Sequence, residues 1–563
     1  MNKTSSISYF FRKSPVARAL IWVVAAIAFI VVSAVLNIKI QQVPEIFELN
    51  PPVGSSGDVI VIRGNGFGKV RDTSYVEFGG TRLTSSAYLS WKNDEIQVIL
   101  PPNVQDGLVY VGNKTVRSKP SFFANATTVP VAVNASVQSI LPIIYSVEPQ
   151  KIYPGSLVKI TGRNFGNMRE KSKVGFSSAR ERFQGEDNAS NDSLEYIFAS
   201  DGDFDYVYWS DSEIRVHIPD GSISGVVFVE TARGKSAQHN IEIDRRAGTK
   251  NFISPKNYVI QLSVDIEDGS LDKGSSVVIR VPRPFETAAQ PSVKLIEFNT
   301  EPIISDYQHT VIHQMQCDKI PKKQTFTQNF AVVVYEVRTN VTASRLNAIS
   351  SINKAILSDA TAADDFTPAS DPDIKELLFK IIGKETNPYN IAALVYNYMT
   401  AQYTVLENVR TGKISPLDLL SEKKGDPYDF AVIFTTLMRA SGIPSYVDGG
   451  ILIGTDLRTK PHWWSEIYLP GFGWFPVDVS LGAGLQHSLW IKNTDARTFY
   501  FGNLDSQHIL FSRGMNQIKP SSSNSQTVQR FRSYSLQTIW EEASGKNIKY
   551  SSFWADPMVV GVY

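Results

Sequence analysis

Short runs in which apolar and polar residues alternate dominate residues 45–245. Val59-Ile60-Val61-Ile62, Glu95-Ile96-Gln97-Val98, Leu157-Val158-Lys159-Ile160 and Ile214-Arg215-Val216-His217-Ile218 are bounded by Pro and Gly, which predicts half-buried β-strands joined by tight turns. The pattern also repeats. Pro51, Gly57, Ile62, Gly64, Phe67, Gly68, Val76 and Phe78 recur 98 residues later as Pro149, Gly155, Ile160, Gly162, Phe165, Gly166, Val174 and Phe176. Trp91, Glu95, Ile96, Val98, Pro101 and Gly107 recur 118 residues later as Trp209, Glu213, Ile214, Val216, Pro219 and Gly225. The second copy therefore holds 20 extra residues within 179–206, where the chain turns acidic and polar. A period near 100 residues marks a tandem of two domains rather than a solenoid, and alternation of this kind builds two-sheet sandwiches. The segments Gly64–Gly68 and Gly162–Gly166 require residues that accept positive φ. No helical pattern follows them, which argues against a phosphate-cradling loop.

The period changes along the rest of the chain. Tyr258–Val264, Ser276–Val281 and Phe330–Val337 are rich in β-branched residues and extend the β structure through about residue 345. A polar, alanine-rich linker follows. From Asp371-Pro372, a capping residue and a first-turn proline, Ile374, Leu377, Leu378 and Ile381 fall at helical spacing. A second helix from Pro388 aligns Ile391, Leu394, Val395, Tyr398 and Met399, and a short one starts at Ser415-Pro416. A further helix opens at Asp426-Pro427, aligns Phe430, Phe434, Leu437 and Met438, and ends at Gly442. Strands are predicted at Ser445–Gly454, His462–Leu469 and Trp474–Val479, the last two joined by the hairpin signal Pro470-Gly471-Phe472-Gly473.

One run fits neither period. Ala19 to Leu36 carries no charge and is almost wholly apolar, so a membrane-spanning helix is expected over 19–38. Lys3, Arg12, Lys13 and Arg18 precede it, and the positive-inside bias then leaves residues 1–18 in the cytoplasm and exports the rest. A cleaved signal peptide ending near Val32-Ser33-Ala34 is the competing reading, and it exports the chain too.

Composition narrows the picture. At 563 residues the chain is too long for one core. With 56 basic and 55 acidic residues it lacks the basic excess of a nucleic-acid binder, and no nucleic-acid partner is expected. Its one cysteine, Cys317, permits no intrachain disulfide and no cysteine metal cluster. It reads as a strand or surface residue, with an intermolecular or reactive thiol as the alternative.

Two resemblances follow. The proline before the first strand, the pattern G…V.I.G..FG and the later V.F resemble the IPT/TIG immunoglobulin-like family over 43–133 and 141–244; that family's modules act as spacers or interaction domains. The segments GDPYDFAVIFTTLMRASGIPSYVDGG, HWWSEIYLPGFGWFPVDVS and YFGNLDSQHILFSRG resemble the transglutaminase-like (papain-like) core of many bacterial proteins, over roughly 372–515. The resemblance implies a catalytic triad in which a cysteine opens the helix after Gly-Asp, a histidine lies on the following strand and an aspartate on the next. The histidine falls on His462, the aspartate on Asp478, and the cysteine on Pro427.

That chemistry needs a thiolate at a helix N-terminus, activated by the helix dipole and an imidazole. Proline supplies no nucleophile, yet its fixed φ suits a first helical turn beside an Asp426 cap. Asp426 and Asp429 read as a cap and a dipole-favoured acid, with a carboxylate nucleophile as the alternative; a displaced Cys317 is another. His462 and Asp478 are either a structural pair, the remnant of a pocket that binds a peptide or glycan, or part of a metal site with a third ligand. Trp463, Trp464 and Trp474 either pack in the core or line a groove that stacks on a sugar or side chain.

The expected architecture is therefore multidomain: a cytoplasmic N-terminus (1–18), a transmembrane signal anchor (19–38), two all-β immunoglobulin-like sandwiches, a β-rich unit (250–345), a linker (346–371), an α+β transglutaminase-like core (372–515) and a C-terminal extension (516–563). The expected function is a single-pass, inner-membrane binding or scaffolding protein, its bulk periplasmic, with a degenerate transglutaminase-like domain and no cofactor. Its partner would be an envelope protein or a cell-wall component. An amide hydrolase or crosslinking enzyme with another nucleophile, and a glycan-binding protein, are the alternatives.

Overall fold

The computed structural model describes residues 15, 16, 19 and 22–29, and residues 43–563 apart from 103, 127–140, 182–194, 271–274, 317–322, 353–356, 489–494 and 523. Cys317 and residues 182–194 of the region holding the insertion thus lie outside the described residues.

The expected transmembrane helix is corrected, and with it the N-terminal span in the fold class and the single-pass inner-membrane localisation. Within 19–38 the described helical residues are Ala19 and 22–29. Among the described residues no helix is long and apolar enough to cross a membrane. At ~1.5 Å per residue the stretch 22–29 rises about 12 Å, against the ~30 Å of a bilayer core. The rest of 19–38 lies outside the described residues.

The chain forms two compact units, one ending at Phe123 and the other beginning at Ala124. The first is a β-sandwich. One sheet joins Glu45–Asn50, Val59–Asn65, Glu95–Ile99 and Tyr88–Trp91; the other joins Val53–Gly54, Ser121–Asn125, Gly107–Gly112, Tyr75–Phe78 and Thr81–Arg82. Ile60, Ile62, Ile96 and Val98 point inward and meet Val76, Phe78 and Phe123; the Phe78 and Phe123 rings pack edge to face at 5.0 Å.

The second unit opens with the same sandwich, and the strand register repeats with the sequence. Leu49 opposite Ile62 becomes Val147 opposite Ile160, and a bulge interrupts both pairs at the same place. Gly64 and Gly162 sit in that bulge because a Cβ would lie 2.0 and 2.1 Å from the carbonyl oxygens of Glu45 and Ile143. Positive φ also recurs, at Gly66 (+76°) and Asn164 (+62°).

The β-rich part of the second unit has two sheets, and the C-terminal residues belong to both. Gly248–Ser270 pairs with Lys323–Val341 and also with Lys549–Trp554 and Met558–Val562. Ser276–Pro282 pairs with Thr310–Gln316 and with Glu541–Ser544.

The α+β part contains α1 (Pro372–Ile382), α2 (Pro388–Gln402) and α3 (Pro427–Ala440). They are followed by β1 (Ser445–Ile453), β2 (Thr459–Leu469), β3 (Gly473–Val477) and β4 (His508–Arg513). The sheet order is β3-β2-β1-β4, all antiparallel. Phe430, Ile433, Phe434 and Leu437 of α3 form one core with Ile374 and Leu378 of α1 and Ile391, Val395 and Met399 of α2. Ile451 and Ile453 of β1 and Ile509 and Phe511 of β4 instead pack into the core of the β-rich part. The helix and the β-rich part therefore sandwich this sheet, which is why β1 is buried along its whole length.

Candidate functional site

The N-terminus of α3 is built from a local signal and completed from a distance. Asp426 is the cap and Pro427 the first helical residue. Asp426 Oδ1 accepts from the Asp429 backbone N–H (3.2 Å), and Asp429 Oδ2 accepts from the Asp426 N–H (2.9 Å), which closes a capping box. Both carboxylates are fully buried, so the box alone would leave two charges without counter-ions. Two arginines supply them. Arg532 donates to Asp426 Oδ1 at 2.6 Å and to Asp429 Oδ1 at 2.7 Å. Arg410 donates from its side chain to Asp429 Oδ2 at 2.5 Å and from its backbone to Asp426 Oδ2 at 2.7 Å. Burial, and next the charge of Asp429, push the Asp426 carboxyl up to about 6 against the pull of Arg532. Pro427 itself is buried.

Strand β2 carries the histidine, and its alternation separates two sets of side chains. Trp463 meets Tyr428 of α3 edge to face at 5.4 Å, and Ser465 Oγ donates to the Ala431 carbonyl at 3.2 Å. His462 and Trp464 stack with each other, centroids 6.3 Å apart, on the other face. There His462 Nε2 lies 2.6 Å from Asp478 Oδ2.

A second histidine joins that carboxylate. His508 on β4 places Nε2 3.2 Å from the same Asp478 oxygen and Nδ1 2.9 Å from Asp505 Oδ1. Asp505 in turn accepts from the Tyr500 hydroxyl (2.6 Å) and the Gln507 N–H (2.9 Å). The remaining oxygen of Asp478 accepts from Ser480 Oγ (2.8 Å) and the Leu481 N–H (2.9 Å), capping a short helix at Val479–Gly482. A continuous chain His462–Asp478–His508–Asp505–Tyr500 results, every member buried. Burial pushes the His508 imidazole down, but Asp505 and Asp478 outweigh it and raise it to about 9. Burial pushes the Asp478 carboxyl up, and His462 and then His508 more than reverse this, holding it far below the usual carboxylate range.

His462, Asp478 and His508 offer ligand atoms all within 4.8 Å of one another. Two ligands of one zinc, at bonds of ~2.0–2.1 Å, stand about 3.3 Å apart in a tetrahedral site. The 2.6 Å between His462 and Asp478 is a charge-assisted hydrogen-bond length instead. The doubly bonded imidazole of His508 accounts for the remaining contacts, and no metal is assigned.

The three tryptophans are each buried for a different reason. Trp463 fills the space over Tyr428. Trp464 packs edge-on to His508 at 5.1 Å. Trp474 is held by the second sandwich: its N–H donates to Asp220 at 3.0 Å, its carbonyl accepts from Lys250 at 2.9 Å, and Lys250 pairs with Asp220 at 2.8 Å.

Residues 375–479 match the transglutaminase-like superfamily, and residues 44–128 and 142–258 match the IPT/TIG domain. The chain carries a transglutaminase-like domain. It holds α1 to β3 and ends just past Asp478, and two IPT/TIG domains precede it. An uncharacterised Haemophilus influenzae protein is 30% identical over 169 residues, which is 25% of this chain and 46% of that protein. A Bacillus licheniformis cyclomaltodextrin glucanotransferase is 40% identical over 62 residues, 11% of this chain and 8% of the enzyme. The chain thus spans less than half the length of these relatives. Among solved structures, a candidate cysteine protease from Cytophaga hutchinsonii aligns at 14% identity and TM-score 0.34, covering 55% of this chain and 93% of that one. The periplasmic domain of TgpA from Pseudomonas aeruginosa aligns at 12% and 0.24, covering 41% and 88%.

Sequence reasoning placed Pro427, His462 and Asp478 but missed His508, Asp505, Arg410 and Arg532. Asp505 and His508 stood in plain view in YFGNLDSQHILFSRG, with the acid–histidine spacing as the available signal. Arg532 lies beyond the family match, in a stretch with no periodic pattern to mark it.

Proposed function

We propose that this chain is a binding or scaffolding protein whose transglutaminase-like domain performs no cysteine chemistry and serves as a packed core that follows its two IPT/TIG modules. The state of the α3 N-terminus carries the reading. Where the family resemblance assigns a cysteine stands Pro427, which has no side-chain nucleophile. The carboxylates beside it are engaged by Arg532, by Arg410 and by each other's backbone N–H, three hydrogen bonds each. Asp429 carries two guanidinium bonds and Asp426 one, which makes each a weak nucleophile, and loss of a nucleophile commonly removes several orders of magnitude in rate. His462, the base of the expected triad, is bonded to Asp478 and nearly closed to solvent, at 1% exposure.

The partner class is a protein or a glycan, in keeping with the two IPT/TIG modules. Amine-incorporation and peptidase assays on the wild-type chain and on His462→Ala test the loss of catalysis. No turnover above background is expected from either protein. Turnover in the wild type that disappears in His462→Ala would sink the reading and identify an enzyme with a different nucleophile.

A further inference from the structure

The repeat leaves one part of the second IPT/TIG domain without a counterpart, the insertion within 179–206. Beside it the turn Asp201–Asp205, the counterpart of Leu83–Ala87 at the 118-residue spacing, is clamped onto the rest of the unit. The Phe204 N–H donates to the Asp201 carbonyl at 3.1 Å, and the Ser200 N–H donates to Asp205 at 2.9 Å. Asp203 accepts from Arg513 at 2.7 Å and from the Ala288 N–H at 2.6 Å. Arg513 also donates to the buried Asp448 at 3.0 Å. Gly202 presses against the chain at Phe285-Glu286, where a Cβ would sit 2.4 Å from the Glu286 carbonyl oxygen.

Phe204 is what this clamp displays. Its φ is +57°, a left-handed conformation that costs a bulky residue on the order of 1–2 kcal/mol. The residue remains 43% exposed while its ring rests on Tyr446, centroids 4.8 Å apart and 31° from parallel. The ring borders a cleft of about 540 Å³, within the ~300–1,000 Å³ of small-molecule sites. A second aromatic pair, Phe285 and His309 at 4.5 Å and 35°, lines the same cleft. His309 is also left-handed, with φ +60°. Two strained backbones and two aromatic pairs at one cleft, fixed by a buried ion pair, describe a preformed site. It lies by the C-terminal residues of α3, Arg439 among its lining, at the opposite end of that helix from Pro427.

Most charges around it are matched within the fold, with Asp359 an exposed carboxylate on the lining. Asp364 pairs with Arg439 at 3.2 Å, Asp201 with Arg169, and Arg513 with Asp203 and Asp448. An anionic ligand would need free guanidinium groups, and both arginines of the lining, Arg439 and Arg513, are engaged. Aromatic faces and hydrogen-bonding atoms such as those of Ser512 and Gln517 suit a neutral polyhydroxylated ring instead, whose apolar face packs on an aromatic ring while its hydroxyls bond the rim.

We propose that this cleft binds neutral oligosaccharides, with Phe204 as the stacking platform. The inference rests on the binding role proposed above and names its ligand class. The test is isothermal titration of the full-length chain with neutral hexasaccharides of glucose, mannose and N-acetylglucosamine, and with hexalysine. Saturable binding of at least one sugar is expected, weakened tenfold or more by Phe204→Ala and unchanged by Phe553→Ala, an exposed ring outside the cleft. Phe204 is exposed, so its loss reports on the site rather than on folding, and matched circular dichroism spectra confirm this. Binding of no sugar, equal binding by Phe204→Ala, or tighter binding of hexalysine than of any sugar overturns the proposal. None of these outcomes bears on turnover, which the amine-incorporation assay decides separately.

Discussion

Arg532 reaches Asp426 across more than one hundred residues of sequence, Nη1 to Oδ1 at 2.6 Å, and its other terminal nitrogen bonds Asp429. The guanidinium is buried and lies 4.5 Å from the centre of the Tyr428 ring. A cation at the positive end of a helix dipole is unfavourable alone; here the two capping carboxylates outweigh it. Arg532→Ala would leave both acids buried with one counter-ion fewer, and breaking a buried pair costs about 3–5 kcal/mol. Urea unfolding followed by tryptophan fluorescence should show a loss of that order. A loss below about 1 kcal/mol would mean that Arg410 and solvent suffice.

Restoring a thiol should not restore an enzyme. Pro427 is buried and the helix end is engaged by Arg532 and Arg410, so a Pro427→Cys thiol lacks the partly exposed, electropositive setting that activates cysteine. The expected result is thiol labelling at least tenfold slower than for an exposed cysteine, over the background of native Cys317, with no amine incorporation. Turnover by Pro427→Cys would show that a working site had lost only its nucleophile.

The His508 chain predicts a pH window. A folded-state value of about 9 against an ordinary 6.5 means that folding favours the protonated ring. Its contribution is fully present below about pH 6.5 and is lost as pH rises through 9. Its size is about 3 kcal/mol, since each tenfold gain in proton affinity on folding is worth ~1.4 kcal/mol. Asp478 and Asp505 are shifted down, so their part is present above about pH 4 and lost as pH falls below it. The stability advantage of wild type over His508→Gln should therefore peak between about pH 4 and 6.5 and shrink by pH 9. His487, lowered to about 4 mainly by burial, is present in both proteins and largely cancels in the difference. A flat difference across pH 5 to 9 would refute the charged imidazole.

The Lys250–Asp220 pair ties the second IPT/TIG domain to the β3 hairpin through both backbone groups of Trp474. Lys250→Met should leave Asp220 buried and unpaired, at a cost of about 3–5 kcal/mol. It should also expose Trp474, which is 7% exposed in the intact fold. Thermal unfolding and a red-shifted tryptophan emission would register both effects. The double variant Lys250→Met/Asp220→Leu should recover much of the stability, because it removes both charges.

Much of the fold was legible because it rests on local periodicity. Alternation at Val59–Ile62 and Leu157–Ile160 set the strands, and the shared spacing set the register of both sandwiches. Asp426-Pro427 marked the start of α3, and Pro470–Gly473 lies between β2 and β3. The triad-like positions His462 and Asp478 came from the same short-range segments, and the structure joins them at 2.6 Å. The apolar run at 19–38 was the exception: its hydropathy predicted a span, and the described helical residues are too few for one.

What the sequence could not determine was which distant charges would meet. Arg532 belongs at Asp426, His508 at Asp478, Arg513 at Asp203 and Lys250 at Asp220 only once the sheets and modules have packed. None of these pairs lies at a helical or strand spacing, and an isolated Arg or Asp carries no information about its counter-ion. The strand at Met558–Val562 likewise finds its partner, Tyr258–Gln261, through a sheet edge that exists only after collapse. The sequence by itself determined the modules, the helix that Pro427 begins and the absence of a thiol there. Tertiary structure alone decided that this helix end is sealed by arginines and that the turn Asp201–Asp205 holds Phe204 out over a cleft. Burial forces every charge to find a partner, but it does not say in advance which one.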